Sequence, residues 1–76
     1  MERIEVTAYA GRKGDERPQA FLLRGISVDV LEIVDRWIEE RLTDRVRKRC
    51  FKVKGSDGKE HILYYLETSR EWYCSS

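Results

Sequence analysis

At 76 residues the chain has room for one domain with a single modest core, so stability should lean on small margins and a weak homodimer would add useful buried area. Charged residues make up 38% of it, yet the net charge is only +1, so overall charge selects neither a nucleic acid nor an anionic membrane as partner. The start, Met1-Glu2-Arg3-Ile4, opens no apolar run suited to a signal peptide or a membrane span, which points to a cytoplasmic protein with reduced cysteines and no membrane association.

Ile4, Val6 and Ala8 alternate with Glu5, Thr7 and Tyr9, the period of a half-buried strand over residues 3–9. Residues 11–18 read as a flexible loop; Gly11 and Gly14 lack the length and the Lys-Ser/Thr of a phosphate-binding loop. Ala20-Phe21-Leu22-Leu23-Arg24 is a short strand ended by Gly25. The next segment has two readings. As a helix over 28–42, Leu31, Val34, Ile38 and Leu42 fall on one stripe, with Ser27 as cap and Asp29 near the positive end. As a strand from Ile26 to about Ile33, running on through Trp37, it needs a bulge near Glu32 to bring Ile33 and Trp37 inward. The strand is preferred and the helix is kept as the alternative.

Residues 39–49 form a charged connector. Acids dominate residues 29–40 (Asp29, Glu32, Asp35, Glu39, Glu40) and bases residues 41–54 (Arg41, Arg45, Arg47, Lys48, Arg49, Lys52, Lys54). Phe51 and Val53 then alternate with Lys52 and Lys54, and Gly55-Ser56-Asp57-Gly58 makes a tight loop. Ile62-Leu63-Tyr64-Tyr65-Leu66 suits a central strand, Glu67-Thr68-Ser69-Arg70 a second turn, and Glu71-Trp72-Tyr73-Cys74 a last strand. If residues 55–58 are the loop, Phe51 faces Ile62 and Cys50 faces Leu63; if residues 67–70 are the next, Leu66 faces Glu71, Tyr64 faces Tyr73 and Leu63 faces Cys74. That register puts Phe51, Val53, Ile62, Tyr64, Leu66 and Tyr73 in the core, with Ile4, Val6, Phe21, Leu23, Val30 and Trp37 from the first half. The other face carries Cys50, Leu63, Tyr65, Trp72 and Cys74 beside His61, and is too apolar to be merely solvated. Cys50 and Cys74 then lie two strand spacings apart, roughly 9–10 Å, too far for a disulfide.

The expected fold is mainly β, an antiparallel meander of about five strands closing into a partial SH3-like barrel, with α+β as the alternative. The pattern AFLLRG, then Val28, Val30, Ile33 and Asp35-Arg36-Trp37, then FKV, DGK, LYY and WY, resembles a small bacterial domain similar to the C-terminal segment of Y-family-polymerase-like accessory proteins from mutagenesis cassettes. The resemblance spans roughly residues 17–74 and implies an accessory role in DNA repair or translesion synthesis. It also implies that the segment after Gly25 alternates as a hairpin partner of the preceding strand. Leu31 and the charged stretch at 39–49 depart from that pattern.

No catalytic or cofactor motif is present. His61 with Cys50 and Cys74 lacks the close ligand spacing of a zinc site, and Glu39-Glu40 point apart on either a helix or a strand. His61 is expected at the surface and both thiols packed, with no enzyme activity, metal or cofactor. Two binding functions remain. One is a protein-interaction module using the Leu63, Tyr65 and Trp72 face or an exposed sheet edge, with an unknown protein partner. The other is single-stranded nucleic-acid binding, with Arg45, Arg47, Lys48, Arg49, Lys52 and Lys54 tracking phosphates and Tyr65 and Trp72 stacking on bases.

Overall fold

In the computed structural model, which describes residues 2–10 and 16–75, every regular element is a strand. The elements are β1 (Glu2–Ala10), β2 (Glu16–Leu23), β3 (Ile26–Glu40), β4 (Arg47–Gly55), β5 (Glu60–Leu66) and β6 (Glu71–Ser75). Each pairs antiparallel with the next, and β6 returns to β1, so the meander closes into a barrel. The strands number six rather than about five, and the short strand expected before Gly25 is longer than read, starting at Glu16. The loop expected at 11–18 is strand from Glu16 onward, and residues 11–15 lie outside the described residues. Of the connector at 39–49 only residues 41–46 lie between strands.

Two strands turn the corners. β1 pairs with β6 through residues 2–4 and with β2 through residues 5–10. β3 pairs with β2 through residues 26–29 and with β4 through residues 30–40. Bulges permit the change of partner, since an extra residue bends a strand and increases its twist. In β3 the extra residues are Leu31 and Val34, and in β2 the ladder skips Gln19 beside Pro18, which has no N–H to donate.

The hairpins close by left-handed residues. Arg24 and Gly25 both have positive φ, as a two-residue turn between right-twisted strands requires. Arg45 and Arg70 hold the same conformation at the ends of the two upper turns, where their N–H groups donate to the Arg41 and Leu66 carbonyls at 2.8 Å.

The helix alternative at 28–42 is not realised. Inward from β3 point Val28, buried, and Val30 and Ile33, which pack against the core. The helical stripe Leu31, Val34, Ile38 and Leu42 is instead the exposed apolar set of this region, at 65%, 44%, 53% and 92% exposure. Two of its members are bulge residues and the other two lie towards the tip of the hairpin arm. A period near 3.6 thus arose from residues that the barrel leaves outside its core.

The β4–β5 register is displaced by one residue from expectation. Phe51 faces Leu63, and Val53 faces His61, while the β5–β6 register stands as read, with Tyr64 facing Tyr73. A one-residue slip exchanges the two faces of every strand that follows. The barrel interior therefore holds Ile4, Phe21, Val28, Phe51, Val53, Leu63, Trp72 and Cys74, with Tyr65 packed against them. Ile62, Tyr64, Leu66 and Tyr73, expected in the core, lie on the other face and are half-buried. Lys59 causes the slip: the Gly55 N–H donates to its carbonyl, so the strand resumes at Glu60 rather than Lys59.

Candidate interaction surface

The expected basic–aromatic surface is divided by the barrel wall. Trp72 is buried, its ring 4.9 Å from that of Tyr65 and 5.7 Å from that of Phe51, so neither Trp72 nor Tyr65 forms part of an open stacking platform. Arg47 and Arg49 both reach Glu67, at 3.6 and 3.1 Å. Lys48, Lys52 and Lys54 alternate with them and project from the opposite face. There Lys48 Nζ lies 5.4 Å from the centre of the Tyr64 ring and Lys52 Nζ 3.8 Å from Glu60. Arg45 sits in the β3–β4 turn. The cross-strand neighbours of Lys48, Lys52 and Lys54 on β3 are Glu39, Asp35 and Glu32, so acids interleave with the cations.

His61 is buried at 3% exposure, not on the surface, because the register turns it inward. Its Nε2 donates to Asp57 Oδ2 at 2.9 Å, its ring meets Phe21 edge-on, and Nδ1 is sealed without a partner among the described residues. Asp57 also accepts from the Lys59 N–H at 3.0 Å; this bond first, and then the His61 contact, lowers its carboxyl below the usual range. The β4–β5 turn is thereby locked to the barrel floor. A cleft beside it is lined by Leu23, Ile26, Val28 and Lys59, but the unpartnered nitrogen is closed to solvent and so offers a ligand nothing.

The two thiols are buried on opposite sides of the sheet, Cys74 inside and Cys50 outside between Trp37 and Tyr64. Burial first, and then the neighbouring Glu39, pushes the Cys50 thiol up to about 11, which keeps it protonated and unreactive at neutral pH. No group of three or more metal-ligating side chains occurs among the described residues.

Among the described residues the longest stretch of strand without a partner on one side is an edge of β3. Beyond Asp29, β2 leaves β3 to follow β1, with Pro18 opposite Ala8 and Arg17 opposite Tyr9. Residues 30–40 of β3 are paired to β4 on one side, and among the described residues no strand pairs with the other. The direction of the backbone groups follows from one bond. The Arg41 N–H donates to the Val46 carbonyl at 3.1 Å, towards the β4 side. Strand alternation then turns the N–H and C=O of Trp37 and Glu39 towards β4 as well, and those of Arg36, Ile38 and Glu40 outward. In keeping with this, the Arg36 N–H is taken up by its neighbour's carboxylate, Asp35 Oδ1, at 2.8 Å. The stretch from Asp35 to Glu40 is regular, whereas the bulges at Leu31 and Val34 interrupt the edge before it. Ile38 is half exposed along it, and Leu42 almost fully exposed at its end.

Of the surface residues expected from the sequence, none lies on this edge; the exposed sheet edge was foreseen as a category but not located. The signal was length. β3 has 15 residues and β2 only 8, so one long corner strand must outrun a neighbour. In comparisons with known proteins, no family model matches the chain, and neither does any curated protein or solved structure.

Proposed function

We propose that this chain is a non-enzymatic protein-interaction module that receives an extended strand on the free edge of β3. The observation that carries the reading is the outward set of backbone groups at Arg36, Ile38 and Glu40, beside half-exposed Ile38. Strand addition draws affinity from main-chain hydrogen bonds and specificity from alternate side chains, and needs no pocket. Unpaired edges of this kind are otherwise blunted by bulges or charge, and here the bulges guard only the first part of it. An accessory role beside a DNA polymerase, implied by the resemblance, is compatible with such a module.

The test is a backbone NMR titration with two probes, a short peptide of alternating valine and lysine and a single-stranded oligonucleotide. The peptide should shift Arg36, Ile38 and Glu40, at low and at physiological salt, and Ile38→Pro should abolish the effect. Shifts caused instead by the oligonucleotide at Lys48, Lys52, Lys54 and Tyr64, fading with added salt, would establish the nucleic-acid reading in its place.

A further inference from the structure

We propose that the strand received on this edge is residues 35–41 of a second copy of the chain, laid antiparallel about a twofold axis through Ile38; this rests on the strand-addition reading above. Twofold antiparallel pairing of one segment with itself has a strict rule. The axis stands perpendicular to the sheet, so one residue must face its own copy, and its neighbours on either side face one another. Each candidate centre therefore fixes every cross-strand pair.

Most centres fail on charge. Centring on Asp35, Arg36, Glu39 or Glu40 sets that charge against itself, and centring on Trp37 sets Asp35 against Glu39 of the second copy. Val34 as centre would match Glu32 with Arg36, but its ladder crosses both bulges and cannot be regular. Ile38 as centre satisfies everything. Arg36 then lies opposite Glu40 of the second copy and Asp35 opposite Arg41, each match repeated by symmetry, with Trp37 opposite Glu39. Half-exposed Ile38 packs on its own image, and Val34 comes towards Leu42 of the second copy just beyond the ladder.

The backbone agrees with the side chains. The residues that face each other across this register with outward N–H and C=O groups are Arg36, Ile38 and Glu40, so the ladder uses all of them. Pairing transfers the Arg36 N–H from Asp35 Oδ1 to a carbonyl of the second copy, which leaves that carboxylate available to Arg41 of the second copy. Arg41 in turn gives up an exposed contact with Asp44 at 3.5 Å, a bond of little worth in water. The edge is long enough for a short ladder only, so the dimer is weak and reversible.

Two complementary variants test the register. D35R sets like charges together in its homodimer, as does R41D in its own, but a mixed dimer of the two restores both attractive pairs. Both positions are exposed, and circular dichroism checks that each variant folds. By sedimentation equilibrium, with concentrations up to about 1 mM to reach weak affinities, the wild type should show a monomer–dimer equilibrium. Each variant alone should be about tenfold weaker, and an equal mixture should recover the wild-type affinity. Ile38→Pro, which removes an outward N–H, should be monomeric while melting as a folded protein. A wild type that stays monomeric, or a dimer indifferent to both charge changes, overturns self-pairing. If the valine–lysine peptide still shifts Arg36, Ile38 and Glu40 in that case, strand addition itself survives; if neither probe nor second copy binds, both proposals fall.

Discussion

Cys50 and Gly55 show how close the packing is on the two faces of β4. The Cys50 thiol, raised by burial, is protonated in the folded chain over a range where the unfolded chain already ionises. The stabilisation it contributes is complete below the ordinary thiol value of 9.0 and is lost as pH rises through about 11. Denaturation at a series of pH values should show that loss, and Cys50→Ala should flatten the curve in this window. Asp57 has the opposite sign: with its carboxyl lowered, its contribution is present above the usual carboxylate range and fades as acid protonates it. Gly55 is buried, and a β-carbon there would come within 2.7 Å of both Val28 Cγ1 and Asp57 Oδ1. Gly55→Ala should therefore cost about 1–3 kcal/mol by overpacking, measured by chemical denaturation. Arg70 behaves in reverse, since its φ of 57° is one that a residue carrying a β-carbon adopts only with strain. Arg70→Gly should raise stability by about 0.5–1 kcal/mol on the same measurement.

Among the elements, β3 and β6 matter for different reasons. Trp72 on β6 fills the interior against Phe51 and Tyr65, and Trp72→Ala should lose about 3–5 kcal/mol, read from urea unfolding. A variant that unfolds like the wild type would place Trp72 outside the core. On β3 neighbouring positions should respond oppositely to proline. At Ile38 the missing N–H faces outward, and the melting temperature should hardly move; at Glu39 it faces β4, and the lost ladder bond should cost about 1–3 kcal/mol. The β character of these elements was legible from alternation at Ile4, Val6 and Ala8 and at Phe51 and Val53. The β5–β6 register was legible from a four-residue turn. The β4–β5 register was not, because Gly55 to Lys59 encloses one residue more than the glycines suggest, and the whole face assignment of His61, Leu63, Tyr65 and Trp72 hung on that residue. In β3 the apolar pattern mixed core positions with bulge and edge positions, which blended two periods into one resembling a helix.

Across the whole molecule, a meander of six strands closes because β1 and β3 each divide their pairing between two neighbours. Closure removes edges where the strands are matched in length, and among the described residues it leaves unpaired stretches where β1 runs on past β6 and, longest, where β3 outruns β2. The cations that the sequence gathers after residue 41 are distributed to both sides of the wall and interleaved with acids. The feature that distinguishes this barrel from a sealed one is therefore the edge and not its charge. Amide hydrogen exchange of β3 tests this most directly, in dilute solution where self-association is negligible. Protection should alternate, with Trp37, Glu39 and Arg41 slow and Ile38 and Glu40 fast, and the fast pair should become protected as the concentration is raised. Uniform protection along residues 36–41 in dilute solution would mean that both sides of β3 are already paired and that no edge is open there.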